Sequence, residues 1–109
     1  MQKHPTKNRT YLCDNPENIV VSFTPPDPNR RITFGFKSAS VSALPVVNDQ
    51  IQFQMGASMK TLFIQFFFPA GSGSSCRINI QGSSGGNFDD PPPVNPSTGD
   101  GKIRIYTFE

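Results

Sequence analysis

Carboxylate and amide side chains, which can bind cations or hydrogen-bond sugars, are concentrated in the stretch GSSGGNFDDPPPVNPSTGDG, residues 82–101. They are Asn87, Asp89, Asp90, Asn95 and Asp100. Ca²⁺ prefers oxygen ligands of this kind, and hydroxyl groups of a glycan pair with the same donors and acceptors. Asp and Asn are also common in turns, where they bond their own backbone. Because the spacing matches no EF-hand loop, we expect no cofactor, with Ca²⁺ as the alternative.

The same residues, 82–101, are predicted to form a long loop between two strands. Loops longer than about 12 to 15 residues are uncommon in compact domains and tend to be functional or disordered. GSSGG is typical of a flexible segment, whereas DPPPVNP favours extended polyproline II. Phe88 is expected either to anchor the loop on the domain or to contact a partner. The predicted ligand-binding residues are Asn87, Phe88, Asp89, Asp90, Asn95 and Asp100.

Residues for catalysis are few. His4 is the only histidine and lies in a polar N-terminal segment. A cysteine nucleophile needs a neighbouring base, and nothing in the sequence supplies one to Cys13 or Cys76 except His4. Adjacent Asp89 and Asp90 do not resemble the paired carboxylates of glycosidases, which stand on two sides of a substrate. The sequence therefore predicts a protein that is not an enzyme.

The composition limits the classes of partner and compartment. A net charge of +2 is too small to indicate nucleic-acid binding. No apolar run approaches the roughly 20 residues of a transmembrane helix, and the N-terminus lacks the apolar segment of a secretory signal. We expect a soluble protein without a membrane span, which is cytoplasmic if the chain is complete as given. Its two cysteines would then stay reduced; in an oxidising compartment Cys13 and Cys76 are the only candidates for an intrachain disulfide.

Alternating apolar and polar residues, with Val, Ile, Thr and Phe at the apolar positions, indicate β-strands through most of the chain. The predicted strands span 18–24, 30–37, 39–47, 49–55, 61–68, 76–81 and 102–108. About seven or eight strands in this length favour an all-β fold, an antiparallel two-sheet β-sandwich of immunoglobulin-like or jelly-roll type, with a small barrel as the runner-up. Residues 1–10 are predicted to be a flexible basic segment, and residues 11–109 a single sandwich domain.

Two functions are consistent with these features. The first is a non-enzymatic binding module whose end loops recognise a glycan or a protein partner. The second is a structural subunit that forms a homo-oligomer through apolar strand surface, because TLFIQFFF (61–68) is apolar on both faces of the predicted strand.

Overall fold

The computed structural model describes residues 1–24, 31–36, 50–67, 76–94 and 103–109, which form nine β-strands. The strands are β1 (Gln2–Lys3), β2 (Thr10–Leu12), β3 (Glu17–Thr24), β4 (Arg31–Phe36), β5 (Gln50–Met55), β6 (Lys60–Phe67), β7 (Cys76–Gly82), β8 (Asn87–Val94) and β9 (Ile103–Phe108). The predicted strand 39–47 lies outside the described residues.

The strands form two sheets. One has five strands in the order β1-β2-β9-β6-β4, and the other has four in the order β5-β3-β7-β8. Every described pairing is antiparallel except that of β2 with β9, which is parallel. The described ranges contain no helix that could cross a membrane. The all-β, two-sheet prediction is confirmed in this coarse form, and the arrangement is compatible with a β-sandwich.

The core lies between the two sheets and is built mainly from alternate residues of β3, β5, β6, β7 and β9. Strand β5 shows the pattern most clearly, because its three apolar residues are buried and its three glutamines are exposed. Phe53 of β5 crosses the interface to meet the other sheet. Its ring makes edge-to-face contacts with Phe36, at 5.2 Å between centroids, and with Phe108, at 5.1 Å. Such pairs stabilise by about 0.5–1.5 kcal/mol beyond their buried area.

The prediction of one long loop over 82–101 is wrong for residues 87–94, which form β8 at the edge of the four-stranded sheet. Polyproline II and strand backbones are similar, and proline is tolerated in edge strands and at bulges because no ladder hydrogen bond is lost there. The β7–β8 pairing is irregular where the three prolines lie, between the pairs Ile78–Asp90 and Cys76–Val94. The remaining loop positions 95–100 lie outside the described residues.

Residues 1–10, which the sequence predicts to be a flexible segment, contain strand β1 and the first residue of β2. Residues Gln2–Lys3 pair with β2 as the edge strand of the five-stranded sheet, and Met1 is buried. Strand β2 begins inside the same segment, at Thr10. These strands are too short for a hydrophobic period to reveal them, and long-range contacts hold them in place.

Strand β6 corresponds to the predicted strand 61–68 and lies between β9 and β4. Leu62 and Ile64 are fully buried in the core. On the outer face, Phe63 is half-buried and Gln65 is exposed. The strand is therefore internal in its sheet, with one face in the core and one face partly open.

Candidate functional site

Strand β8 divides the predicted ligand residues between two faces, because successive side chains of a strand point in opposite directions. Asp90 is buried and Phe88 is half-buried on the inner side, whereas Asn87 and Asp89 are exposed on the outer side. The predicted residues Asn95 and Asp100 lie outside the described residues. The four described positions therefore do not converge on one site, and Asn87 and Asp89 share the outer side.

Asp90 belongs to a buried polar cluster that joins the two sheets. Its Oδ2 accepts hydrogen bonds from Arg104 Nη1 at 2.5 Å, Arg9 Nε at 2.9 Å and Tyr106 Oη at 2.6 Å. Burial, followed by the hydrogen bond to the Asp90 carboxylate, raises the pKa of Tyr106 above its ordinary range, so this hydroxyl remains a donor. The Asp90 oxygen is thus used within the protein, and we do not retain Asp90 as a ligand residue.

Phe88 packs towards the interior of the domain. Its ring centroid lies 5.7 Å from that of Tyr11, and it contacts the edge of the core. Of the two roles expected from the sequence, this geometry favours the anchor over the contact residue.

The two adjacent aspartates do not converge on a cation. Asp89 and Asp90 point to opposite sides of β8, and Asp90 is already paired with two arginines. Within the described part of the chain, no group of three or more His, Cys, Asp or Glu side chains could hold a metal ion.

The outer surface of the four-stranded sheet is rich in carboxamides, and we call it the amide face. Its exposed or half-buried members are Asn18, Gln50, Gln52, Gln54, Asn79, Gln81, Asn87 and Asp89. The register aligns them in rows across the sheet. One row runs Gln50–Ser22–Asn79–Asp89, and the next runs Gln52–Val20–Gln81–Asn87. With strands about 4.8 Å apart, the four strands span about 14 Å.

Three of these side chains are already organised by hydrogen bonds. The Asn79 amide nitrogen donates to Asn87 Oδ1 at 2.5 Å and to Asp89 Oδ1 at 3.0 Å, and it lies 3.5 Å from the Phe88 carbonyl oxygen. Within the described ranges, Asn87 Nδ2 and Asp89 Oδ2 have no hydrogen-bond partner and can serve as a donor and an acceptor for a ligand. A neutral amide donor and a carboxylate acceptor are therefore held side by side on an exposed strand.

The residue types on this face are unusual for strands. Asn and Asp are depleted in strands, where β-branched and aromatic residues fit better, yet Asn18, Asn79, Asn87 and Asp89 all occupy strand positions. A face that only had to be solvated could use Thr or Lys. The amide face was missed in the sequence because Gln50, Gln52 and Gln54 predicted only the exposed side of one strand. The sequence indicates outward carboxamides in each strand separately, but only the order of the strands shows that they form one surface.

A second polar cluster lies where β3 begins, beside the β7–β8 turn. The buried Glu17 accepts hydrogen bonds from the Asp14 amide at 2.8 Å, the Ser84 amide at 3.1 Å and Ser84 Oγ at 2.5 Å, and its Oε2 lies 3.1 Å from the Met1 ammonium. Burial alone would raise the pKa of Glu17, but these bonds outweigh it and lower the pKa to about 2. The carboxylate is therefore a structural acceptor.

Cys13 lines a cleft of about 410 Å³ beside this cluster. Burial, followed by the negative charge of Glu17, raises the pKa of the Cys13 thiol to about 11. A protonated thiol is a poor nucleophile. His4, the only base expected from the sequence, uses its Nδ1 to accept the amide hydrogens of Thr6 at 3.1 Å and Lys7 at 2.9 Å.

Cys13 and Cys76 are too far apart for a disulfide bond. Cys13 is a free thiol close to the Glu17 end of β3, whereas Cys76 precedes Arg77, which pairs with Thr24 at the other end of β3. The eight residues of β3 place these ends about 23 Å apart, and a disulfide needs Cα atoms within about 7 Å.

Comparisons with models of known families, with curated proteins and with solved structures found no match to this chain.

Proposed function

We propose that this protein is a glycan-binding module, and that the amide face binds a neutral oligosaccharide through hydrogen bonds. The observation that carries the proposal is the alignment of seven carboxamides and Asp89 on the outer surface of one sheet. The proposal keeps the glycan expected from the sequence and moves the site from the end loops to the sheet.

The chemistry of the face suits hydroxyl groups. Each carboxamide offers two donors and an acceptor, and each sugar hydroxyl is both a donor and an acceptor. The Asp89 carboxylate adds a stronger, charge-assisted acceptor, and Asn79 holds it beside Asn87. The triad of Asn79, Asn87 and Asp89 can therefore bind two neighbouring hydroxyl groups, one through Asn87 Nδ2 and one through Asp89 Oδ2.

The charge on the face favours a neutral ligand. Among the residues that the structure describes, the charged side chains of this face are Arg77 and Asp89 on its β7–β8 side, whereas the β5 row is entirely glutamine. An anionic polymer would meet Asp89 without an array of cations to balance it. Aromatic rings do not stand on the described part of this face, so binding would depend on hydrogen bonds rather than on stacking.

The proposed site does not depend on the type of sandwich. The immunoglobulin-like or jelly-roll topology expected from the sequence stays a prediction, and either type would present such a sheet face. Fold analogy does not carry the functional proposal, which depends on the side chains of the amide face.

A glycan array tests the proposal directly. We expect the protein to bind neutral glycans, and the same binding in a chelator would show that Ca²⁺ is not needed. Asp89→Asn removes a charged acceptor but keeps the size of the side chain, and it should weaken binding by about 10- to 100-fold. Gln52→Thr removes one amide and should weaken binding by about 2- to 10-fold.

Gln65→Thr is the matched control, because Gln65 is an exposed strand glutamine on the outer face of the other sheet. It should leave binding unchanged. No binding to any glycan, or an equal effect of Gln65→Thr and Gln52→Thr, would contradict the proposal. Binding that disappears with the chelator would instead indicate a metal-bridged site.

A further inference from the structure

We infer that the ligand of the amide face is a linear glycan chain that lies along strand β3, and this inference rests on the proposed function. The outward residues of β3 are Asn18, Val20, Ser22 and Thr24. The two in the middle of the strand are short and half-buried, whereas the neighbouring strands carry longer polar side chains. Side chains of two heights give a ligand a direction as well as hydrogen bonds.

The register of three adjacent strands produces a trough. In two successive rows, a short residue of β3 stands between a glutamine of β5 and a longer amide side chain of β7. Since neighbouring strands lie about 4.8 Å apart, the flanking strands are about 10 Å from each other. We call the channel between them the β3 trough, whose floor is the β3 residues and whose walls are the flanking amides. The two rows are Gln52–Val20–Gln81 and Gln50–Ser22–Asn79.

The trough is long enough for several linked sugar rings. A rise of about 3.4 Å per residue gives about 20 Å between Asn18 and Thr24, the ends of the outer face of β3. Amides on both walls can hydrogen-bond the hydroxyl groups on the two edges of each ring, and the Val20 methyl groups can pack against its C–H groups. A single ring would contact only part of this surface, so a chain should bind more tightly.

One wall is open towards Asp89. Asn79 Nδ2 donates hydrogen bonds to Asn87 and Asp89 on β8, so the Asn79 side chain extends away from Ser22. The trough therefore continues to the Asp89 carboxylate in this row. We expect one ring of the chain to hydrogen-bond Asp89 there, while the amides of β5 and β7 hold the rings on either side.

The position of the trough favours a glycan over an extended peptide. Peptides add to a sheet through the free backbone groups of an edge strand, whereas β3 is an internal strand whose backbone pairs with β5 and β7. A peptide over β3 would meet side chains alone, and the walls offer no regular backbone ladder. A glycan carries hydroxyl groups around each ring, where amide side chains can reach them.

A length series tests the inference. The probes are cello-oligosaccharides, manno-oligosaccharides and malto-oligosaccharides, from monosaccharide to hexasaccharide, measured by isothermal titration calorimetry. In the series that binds, we expect affinity to rise by about 2- to 10-fold with each added ring and to level off once the chain outgrows the trough. Equal affinity for the monosaccharide and the tetrasaccharide would overturn the inference, as would binding of branched glycans on the array without binding of any linear series.

Ser22→Gln separates the shape of the trough from its amide content. The change adds a carboxamide to the face, but it raises the floor between Gln50 and Asn79. If the trough holds the chain, tetrasaccharide binding should weaken by at least about 10-fold. If the amides act without the trough, the added amide should leave binding unchanged or strengthen it, and that result would overturn the inference.

Thr61→Gln is the matched control, because Thr61 is also half-buried on the outer face of an internal strand, but in the other sheet. It should leave binding unchanged. Circular dichroism shows whether each variant is folded. If Ser22→Gln does not fold, Val20→Gln raises the floor in the next row and should weaken the tetrasaccharide to a similar extent.

The outcomes separate this inference from the proposed function. Binding that weakens in Asp89→Asn, but that depends neither on chain length nor on Ser22→Gln, would keep the glycan site and overturn the linear chain along β3. No binding to any glycan would contradict the proposed function itself, and this inference with it.

Discussion

Replacing Glu17 by Gln is expected to lower the free energy of unfolding by about 3 kcal/mol at pH 7. The Glu17 side chain is fully buried and accepts hydrogen bonds from the Asp14 amide, the Ser84 amide and the Ser84 hydroxyl, beside the Met1 ammonium. These contacts lower its pKa from 4.5 to about 2. Because each pH unit between the folded and unfolded pKa corresponds to 1.36 kcal/mol, the difference amounts to about 3 kcal/mol.

The pH dependence follows from the direction of the shift. Since the pKa of Glu17 is lower in the folded state, the unfolded state takes up protons first as the pH falls. The stabilisation is therefore fully present above about pH 5 and is lost progressively as the pH falls from about 4.5 towards 2. The difference between wild type and Glu17→Gln should be constant from pH 7 to about pH 5 and should narrow below it.

Urea denaturation at a series of pH values measures this difference. Glu109→Gln is the control, because Glu109 pairs with Lys7 at the surface, where the Lys7 side chain is 61% exposed. Such pairs contribute about 0–1 kcal/mol, so the control should change the unfolding free energy by less than about 1 kcal/mol. If Glu17→Gln has no larger effect than Glu109→Gln at pH 7, or if its effect does not change down to pH 2.5, the reasoning about the buried carboxylate is refuted.

Two further predictions concern stability. Asp90→Ala removes the acceptor shared by Arg9, Arg104 and Tyr106. Because loss of one partner from a buried ion pair costs about 3–5 kcal/mol, we expect the melting temperature to fall by at least about 10 °C. A fall of less than about 3 °C would argue against the cluster as a link between the sheets. Gly82→Ala would place a Cβ against the Glu17 carboxylate and the Met1 side chain, and should destabilise by about 1–3 kcal/mol in urea denaturation. Gly56→Ala meets no atom within 4 Å and should have less than about half that effect, so equal effects at the two glycines would contradict the close packing of β7 on Glu17.

Much of the fold was predictable from local patterns. Strand positions and their inner and outer residues follow from a period of two in β3, β5 and β7. In β5 the pattern correctly separates Ile51, Phe53 and Met55, which are buried, from the exposed glutamines. The two-sheet, all-β class follows from the number and spacing of such strands.

Strand β8 and the N-terminal strands could not be predicted in the same way. Three consecutive prolines oppose a strand unless it lies at an edge or a bulge, and only the pairing with β7 shows that β8 does both. Strand β1 has two residues, too few for any period, and it is held by its pairing with β2 and by the burial of Met1.

The candidate sites, like the strands, were predictable from local patterns only in part. The sequence by itself determined which side chains of a strand share a face, because this alternation is a property of the extended backbone. It did not determine which face is buried in β9, where Arg104 is buried and Ile103 and Ile105 are exposed. Only the tertiary structure decided which strands are neighbours, and therefore that Gln50, Asn79 and Asp89 share a row while Asp90 turns inward to two arginines. Strand order depends on contacts between residues far apart in the chain, and local periodicity carries no information about those contacts.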